Sequence, residues 1–420
     1  MTHFGLICPQ STGHLNPMVA LGKALFKKGH QVTLFSVDDL REKFPPSAIQ
    51  VQVIGKEEFP KGTLPAFFQK LGHLEGIKAA LYTRDSLLAF AQVVLKELPP
   101  IIKSHGIEVL LVDQLCPEAG SIAEYLQIPF VTTCAISPLN YELQVPPCFT
   151  DWAFHKEGWA LARNRMGYFM YYQARRPIHQ LINQSRRDWG LPPLNHPDDA
   201  FSSMAQICQV PQSFEFPRHQ LPPQFVFTGP FLDGASRPHI PFPFEELDGR
   251  PLIYASLGTA HNLHRTLFQS IATAVKDLDA QTVISLGGGL NPGDLDDVPD
   301  NVILVNYAPQ LDLLQKASLT ITHAGINTTL ESLSNGVPLV ALPVAGDQPS
   351  VAARIAWTNS GEVLPPARRS SRDLRATIEK VLHNSIYNQN AQRIQNDIEQ
   401  AGGLRKAVEV IERCLVTKSQ

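Results

Sequence analysis

His323, Gly325, Asn327 and Thr328 follow one another closely in the run Leu319–Glu331, where an apolar stretch, Leu319–Thr322, meets a segment of helical character. A strand that opens into a helix exposes unpaired backbone N–H groups and the positive end of the helix dipole. Gly325 lets the backbone approach a ligand closely. Asn327 and Thr328 add side-chain donors, and His323 adds a donor or a positive charge. Together they suit an anion, and a diphosphate in particular. Glu331 lies three residues beyond Thr328, about one helical turn deeper, where it can accept hydrogen bonds from a ribose diol. Taken singly, Asn327 or Thr328 would be an ordinary helix cap. Their combination at one junction carries the reading. Asp347 and Gln348 close the next buried strand and are placed to grip sugar hydroxyls. Tyr307, Ala308 and Gln310, in the run Asn306–Gln310, bring an aromatic ring and amides suited to a base.

A second kind of chemistry is written near the start. His14 stands in Ser11–Pro17, just before a helix expected from Pro17. A neutral imidazole there can remove a proton from a hydroxyl, because its unperturbed pKa of about 6.5 lies near working pH. It needs a partner to fix its tautomer. Asp113, at the end of the apolar run Glu108–Val112, is the candidate. The pair reproduces the orienting half of a hydrolase triad, in which Asp holds His and His deprotonates an oxygen.

These residues need a scaffold that gathers strand ends. Phe4–Cys8 reads as a strand and Gln10–Asn16 as a loop. Pro17 suits the first helical position, and Gly29 a left-handed cap. Val32–Val37 completes a βαβ unit, and Glu108–Thr133 repeats the pattern. Thr228–Arg250, rich in Pro and Gly, reads as a linker. Further strands follow at Pro251–Ser256, Gln281–Leu286, Val302–Asn306, Leu319–Thr322 and Val337–Leu342. The fold class expected is α/β: two facing, doubly wound Rossmann-like domains with the ligand in the cleft between them. Residues 60–95 and 150–190 are rich in helix formers and aromatics. They read as core helices, with the lining of an apolar pocket as the alternative.

Composition narrows the field. The chain has 420 residues, 44% hydrophobic and 18% charged, which supports real cores and excludes wholesale disorder. Lys and Arg number 36 against 39 Asp and Glu, a net charge of −3 that gives no global field for nucleic acid. The six cysteines show no C-x-x-C spacing, so thiols in a reducing cytosol are expected rather than a zinc site or disulfide framework. No basic segment precedes an apolar run at the N-terminus and no apolar stretch approaches the roughly 20 residues of a membrane span. A cytoplasmic protein is expected, with peripheral membrane contact left open. No G-x-S-x-G stands at Tyr254–Thr259, which removes support for a serine hydrolase. The glycines at 287–289 do not continue as G-x-G-x-x-G, because position 292 is Pro. Asp277–Asp279 and Asp294–Asp296 form D-x-D patterns, but both sit in polar surface segments, so no metal is expected.

The segment Tyr307–Gln348, with APQ, HAGINTTLE, NGVPLVALP and GDQP, resembles the nucleotide-sugar signature of the family 1 UDP-glycosyltransferases, which have the GT-B fold. The resemblance implies that Ala308 and Gln310 contact uracil and ribose, with Tyr307 at the base-stacking position. It implies that His323, Asn327 and Thr328 hold the diphosphate, Glu331 the ribose, and Asp347 and Gln348 the sugar. Ser256 in ASLGT corresponds to another donor-side loop, and His14 to the catalytic base. Two positions depart from the plant pattern: Tyr307 and Ile326 stand where Trp is found there. VDQLCPEAGSIAEYLQIPF, CAISPLN and DQPSVAARI are similar to the carotenoid branch, the zeaxanthin glucosyltransferases. The implied organisation is an acceptor-binding domain at 1–227, a linker at 228–250, a UDP-sugar domain at 251–395 and a terminal helix at 396–420 that packs back on the first domain. The implied reaction moves a sugar, glucose first, from a UDP-sugar to a lipophilic alcohol with inversion. UDP-sugar is then a co-substrate, and no cofactor is needed. Three rivals stay open: a transferase acting on flavonoids, polyketides or other phenols, a nucleotide-sugar-binding protein without catalysis, and a nucleotide-sugar epimerase.

Overall fold

The computed structural model describes residues 1–43, 48–74, 76–234, 239–259 and 263–416. One sheet contains β1 (His3–Ile7), β2 (Gln31–Ser36), β3 (Gln50–Val53), β4 (Val109–Asp113), β5 (Phe130–Cys134), β6 (Gln206–Cys208) and β7 (Phe225–Phe227), in the order β3-β2-β1-β4-β5-β6-β7. The other contains β8 (Leu252–Ser256), β9 (Gln281–Ser285), β10 (Val302–Val305), β11 (Ala317–Thr322), β12 (Leu339–Ala341) and β13 (Gly361–Val363), in the order β10-β9-β8-β11-β12-β13. The strand pairs are parallel throughout. Helices cover both faces, so strands such as β4 and β8 are buried along their whole length and read as unbroken apolar runs.

In each sheet the chain starts in the middle, winds to one edge, and returns to the other side of its first strand. The reversal falls between β1 and β4 in one sheet and between β8 and β11 in the other. A doubly wound sheet opens a crevice at that reversal, beyond the carboxyl ends of the strands. His14 and Asp113 follow β1 and end β4. Ser256 and His323 end β8 and follow β11.

The helix after β1 runs Thr12–Lys27, earlier than expected: Ser11 is the extended N-cap, and Pro17 lies inside. His14 is therefore in the first helical turn rather than in a preceding loop. An interior proline normally costs a helix about 3 kcal/mol, partly through the lost bond to the carbonyl four residues back. Here that carbonyl, Gly13 O, accepts from the side chain of Asn327 at 3.0 Å instead. Gly22 brings the same helix down onto the sheet, since a Cβ there would stand 2.7 Å from Leu6 Cδ1.

The first core joins β1, β2 and β4 to the flanking helices and includes Ala407, Val408 and Ile411 of the last helix, Gly403–Val416. The last described helix thus packs against the sheet on which the chain began; residues 417–420 lie outside the described residues. A further apolar cluster crosses between the two sheets, joining Ile136, Leu139, Val210 and Phe214 to Ile326, Leu330, Val351 and Ile355. Beside it, Arg354 of the helix Gln348–Trp357 forks onto Glu215, with Nε to Oε2 at 2.9 Å and Nη2 to Oε1 at 2.6 Å, both side chains buried. Burial opposes the Glu215 charge, but Arg354 and Arg218 outweigh it and hold the carboxyl below the usual range. The expected aromatic helices are Thr63–Gly72, Gly76–His105 and Gly158–Asp188. The linker region forms a short 3₁₀ turn at Phe244–Glu246, and its residues 235–238 lie outside the described residues. Strands β3, β6, β7 and β13, of three or four residues, have no counterpart in the sequence reading.

Candidate functional site

The first domain brings a histidine and an aspartate together. β4 delivers Asp113, fully buried, and the first turn of Thr12–Lys27 delivers His14, about one-tenth exposed. His14 Nδ1 lies 2.8 Å from Asp113 Oδ2. The other carboxylate oxygen, Oδ1, accepts from the Leu115 backbone N–H at 2.9 Å. With Nδ1 carrying the proton toward Asp113, Nε2 is left as the basic atom. Burial works to lower the imidazole pKa, yet the charge and hydrogen bond of Asp113, with the more distant charge of Asp347, raise it above its ordinary value. The Asp347 carboxyl is in turn raised by burial, partly offset by His14. The two groups follow strands of different sheets, and their charges act on one another between them.

The second domain places its junction as the sequence implied. β11 ends at Thr322, and the helix Ile326–Ser334 begins after Gly325, with no side chain capping its N-terminus. His323 is held beside that terminus for a reason other than the one expected of Gly325. A Cβ at Gly325 would stand 2.4 Å from His323 Nε2, and one at Gly258 2.7 Å from the same ring. The imidazole lies between two glycine backbones, and neither position tolerates a side chain without moving it. Ser256 Oγ accepts from Gly258 N at 3.3 Å and shapes the turn on one side of the ring.

Asn327 behaves differently from its neighbours. Its Nδ2 donates to Gly13 O, and its Oδ1 accepts from Gln209 Nε2 at 3.1 Å, so the side chain bridges to the first domain. Thr328 is buried, 3.4 Å from Gln310 Nε2. Gln310 Nε2 also donates to Glu331 Oε2 at 2.5 Å, while its Oε1 accepts from the Tyr254 hydroxyl at 3.0 Å. Glu331 is thereby fixed in orientation on a buried helix face. Ala308 is buried and Tyr307 half exposed, with its hydroxyl over Gly288. Gln348 Oε1 accepts from Val344 N and Ala345 N at 2.7 and 2.9 Å, which pins the loop carrying Asp347. Asp347 Oδ2 is buried with no hydrogen-bond partner among the described residues.

Asp294 and Asp296 serve local structure. Asp294 Oδ2 accepts from Asn291 N at 2.7 Å, and Asp296 pairs with Arg265 at 2.7 Å. Among the described residues no group of three or more His, Cys, Asp or Glu is placed to hold a metal ion.

Sequence reasoning missed Gln209 and Gln114. Gln114, next to Asp113, donates to Ile136 O and Ser137 O and accepts from Leu139 N, which fixes the loop after β5. Neither glutamine sits in a motif. Gln114 also lines a cavity of about 310 Å³ under the helix Gly158–Asp188, with Leu139, Tyr171, Tyr172, Ile178 and Phe201 in its wall. Near it Glu118 is buried, and that burial pushes its carboxyl up to about 7.

A family model described as UDP-glucoronosyl and UDP-glucosyl transferase matches residues 183–401, just over half of the chain. Among characterised sequences, the zeaxanthin glucosyltransferase of Pantoea ananas is 28% identical over 99% of this chain and 97% of its own length. The NDP-glycosyltransferase YjiC of Bacillus subtilis (strain 168) is 27% identical over 98% of this chain and 96% of its own. The crystal structure of CalG4, the calicheamicin glycosyltransferase, aligns over 100% of both chains with a TM-score of 0.75 at 20% identity. Glycosyltransferase VinC in complex with dTDP aligns over 99% of both chains with a TM-score of 0.71 at 18% identity. The fold is therefore that of the GT-B glycosyltransferases.

Proposed function

The chain belongs to the UDP-glucoronosyl and UDP-glucosyl transferase family and is a sugar-transferring enzyme, and from that premise we propose that it moves glucose from UDP-glucose, with inversion, to a hydroxyl of a lipophilic alcohol. A hydroxycarotenoid is the acceptor we favour, on the similarity to zeaxanthin glucosyltransferases and on the largely apolar cavity that Gln114, the neighbour of Asp113 in the chain, helps to line. The observation that carries the reading is the His14–Asp113 pair itself: a buried carboxylate 2.8 Å from a histidine in the first turn after β1, within electrostatic reach of Asp347 in the second domain.

In this mechanism His14 Nε2 takes the hydroxyl proton as the acceptor oxygen attacks the anomeric carbon. Attack comes from the face opposite UDP, so an α-linked donor yields a β-glycoside. The carbon–oxygen bond to UDP breaks, and the electron pair leaves with the diphosphate. Asp113 stabilises the imidazolium that forms. The uncapped N-terminus of Ile326–Ser334, with His323 beside it, faces the departing negative charge. That preorganised charge is the role a divalent metal plays elsewhere, and no metal or other cofactor is assigned to the reaction. Asp347 would accept from the sugar hydroxyls, and Gln348 would steady its loop. Glu331, oriented by Gln310, would take the ribose, and Tyr307 and Ala308 the base.

A second reading rests on the cavity. Its volume of about 310 Å³ encloses a flavonoid- or polyketide-sized acceptor, or only one end of a forty-carbon one. The deciding experiment incubates the enzyme with a panel of UDP-sugars and a pool of hydroxycarotenoids and phenols, read by mass spectrometry, beside His14→Ala. The expected result is a β-glucoside formed from UDP-glucose, with UDP binding kept in His14→Ala and turnover down roughly 10²–10⁴-fold. UDP binding without any transfer would make the protein a nucleotide-sugar binder. A free sugar epimer would make it an epimerase.

A further inference from the structure

The helix Gly158–Asp188 carries an exposed apolar stripe that no part of the chain covers among the described residues. Trp159, Met166 and Met170 recur at intervals of seven and four, which places all three within an arc of about 40° around the helix axis. They are 56%, 59% and 63% exposed, and Phe169 beside them is 58% exposed. Scattered apolar residues on a surface need no explanation, whereas a contiguous patch does. The helix Gly76–His105 runs alongside in the same direction. Its Leu87 and Leu88 pack against Ile178 and Ile182, and its Lys103 lies over Tyr125, which stacks on Trp189. Its first turns add Ile77 and Leu81, also exposed.

The charge on this helix departs from that of the chain. Its six arginines, Arg163, Arg165, Arg175, Arg176, Arg186 and Arg187, stand against one acid, Asp188, in a protein whose net charge is −3. Arg165 and Arg176 lie along the Phe169 side of the apolar stripe, are exposed, and have no acidic partner among the described residues. Arg163 lies over the rings of Trp152 and Trp159, and its Nη2 donates to Ala153 O at 2.9 Å, which holds Trp159 in its outward position. An apolar stripe with a tryptophan, edged by arginines, has the chemistry of a surface that lies in the headgroup region of an anionic bilayer. The same helix continues into the cavity wall at Tyr171 and Tyr172, one residue past Met170.

We propose that this face docks on an anionic phospholipid bilayer, with Met166, Phe169 and Met170 in the acyl boundary and Arg165 at the phosphates, so that a lipophilic acceptor passes from the membrane into the cavity. The route for the acceptor rests on the reading of a lipophilic alcohol substrate. The docking itself is measured without any acceptor.

The full-length enzyme is sedimented with vesicles of phosphatidylcholine alone and of phosphatidylcholine with phosphatidylglycerol, beside Met166→Ser/Phe169→Ser/Met170→Ser and Arg165→Glu. Wild type should bind the anionic vesicles, more weakly at high salt and weakly to phosphatidylcholine alone. Each variant should lose about tenfold or more of that binding. The triple variant should keep its thermal unfolding temperature and its turnover on a water-soluble phenol, and lose turnover on an alcohol presented in the vesicles. Wild type that stays in the supernatant, or variants that bind as wild type does, would overturn the proposal. So would light scattering that shows a wild-type dimer, monomeric in the triple variant, with no vesicle binding. Patch-dependent binding with no transfer to any acceptor would leave the docking surface standing and refute the acceptor reading.

Discussion

Replacing Asp113 with Asn tests the proposed role of the His14–Asp113 pair more sharply than deleting His14, because the structure dictates which way the amide must face. Asp113 Oδ1 accepts from the Leu115 N–H at 2.9 Å, and Oδ2 faces His14 Nδ1 at 2.8 Å. In Asp113→Asn the amide oxygen keeps the Leu115 bond, so the NH₂ group points at Nδ1. It can only donate there, which forces the histidine proton onto Nε2. The atom that should receive the acceptor proton then already carries one. A wrong tautomer of this kind removes general-base catalysis, so turnover should fall roughly 10²–10⁴-fold, about 2.7–5.5 kcal/mol of barrier. Asp113→Ala leaves the imidazole free to choose its tautomer, at the cost of about 1–3 kcal/mol of stability for the orphaned Leu115 N–H. The expected order of activity is wild type, then Asp113→Ala, then Asp113→Asn. The pH profile of kcat/KM supplies a second reading. Asp113 raises the imidazole pKa and burial lowers it, so the acid limb should lie above about 6.5 in wild type and fall in Asp113→Asn. The assay is steady-state glucosyl transfer with UDP release. Near-normal turnover in Asp113→Asn, or an unmoved acid limb, would refute the assignment of His14 as a base held by Asp113.

Three more outcomes are expected. Gly325→Ala puts a methyl group into the His323 ring, which Gly258 blocks from retreating; calorimetry should show UDP affinity down about tenfold or more with the fold intact. Glu118 titrates near 7 in the folded chain against about 4.5 unfolded, so the folded state binds more protons in that window and stability falls as pH rises through it, by roughly 3 kcal/mol in all. Glu118→Gln should therefore unfold at a higher temperature than wild type near pH 8 and at a similar one below pH 4.5. Glucosyl transfer should continue in excess EDTA, and a loss reversed by magnesium would assign the diphosphate a metal.

Much of the scaffold can be read from the chain because parallel strands buried on both faces are plain apolar runs. Val109–Val112 and Leu252–Ala255 are examples, and the strand-to-helix junction at His323–Thr328 follows directly. Strands of three residues, such as β6 and β13, are too short to show any period and exist only because a longer neighbour pairs with them. The start of the first helix was hidden by Pro17, which argues locally for a helix beginning there. What overrides it is Asn327, whose amide satisfies the Gly13 carbonyl from 314 residues away. Long-range partners of that kind leave no local trace. Gln209 on Asn327 and Glu215 on Arg354 are invisible until the two sheets are brought together. The same holds for His14 and Asp113, 99 residues apart, whose pairing could be expected only from the common rim of β1 and β4.

The bridge from Asn327 to Gly13 and Gln209 bears on recombination. Exchanging one half of this enzyme for that of a relative would look straightforward, because the cavity under the helix Gly158–Asp188 and the His323–Thr328 junction belong to different sheets. The break between them is not clean. Residue 13 adjoins His14, residue 209 follows β6, and residue 327 lies in the first turn of the helix Ile326–Ser334, so a foreign second half must bring an amide that fits a carbonyl left bare by Pro17. A foreign partner for Glu215 must likewise be a guanidinium, since removing one member of a buried pair costs about 3–5 kcal/mol. Chimeras that carry positions 13, 17, 209, 215, 327 and 354 as one set should fold and turn over. Those that split the set should be soluble only where the mismatch is repaired.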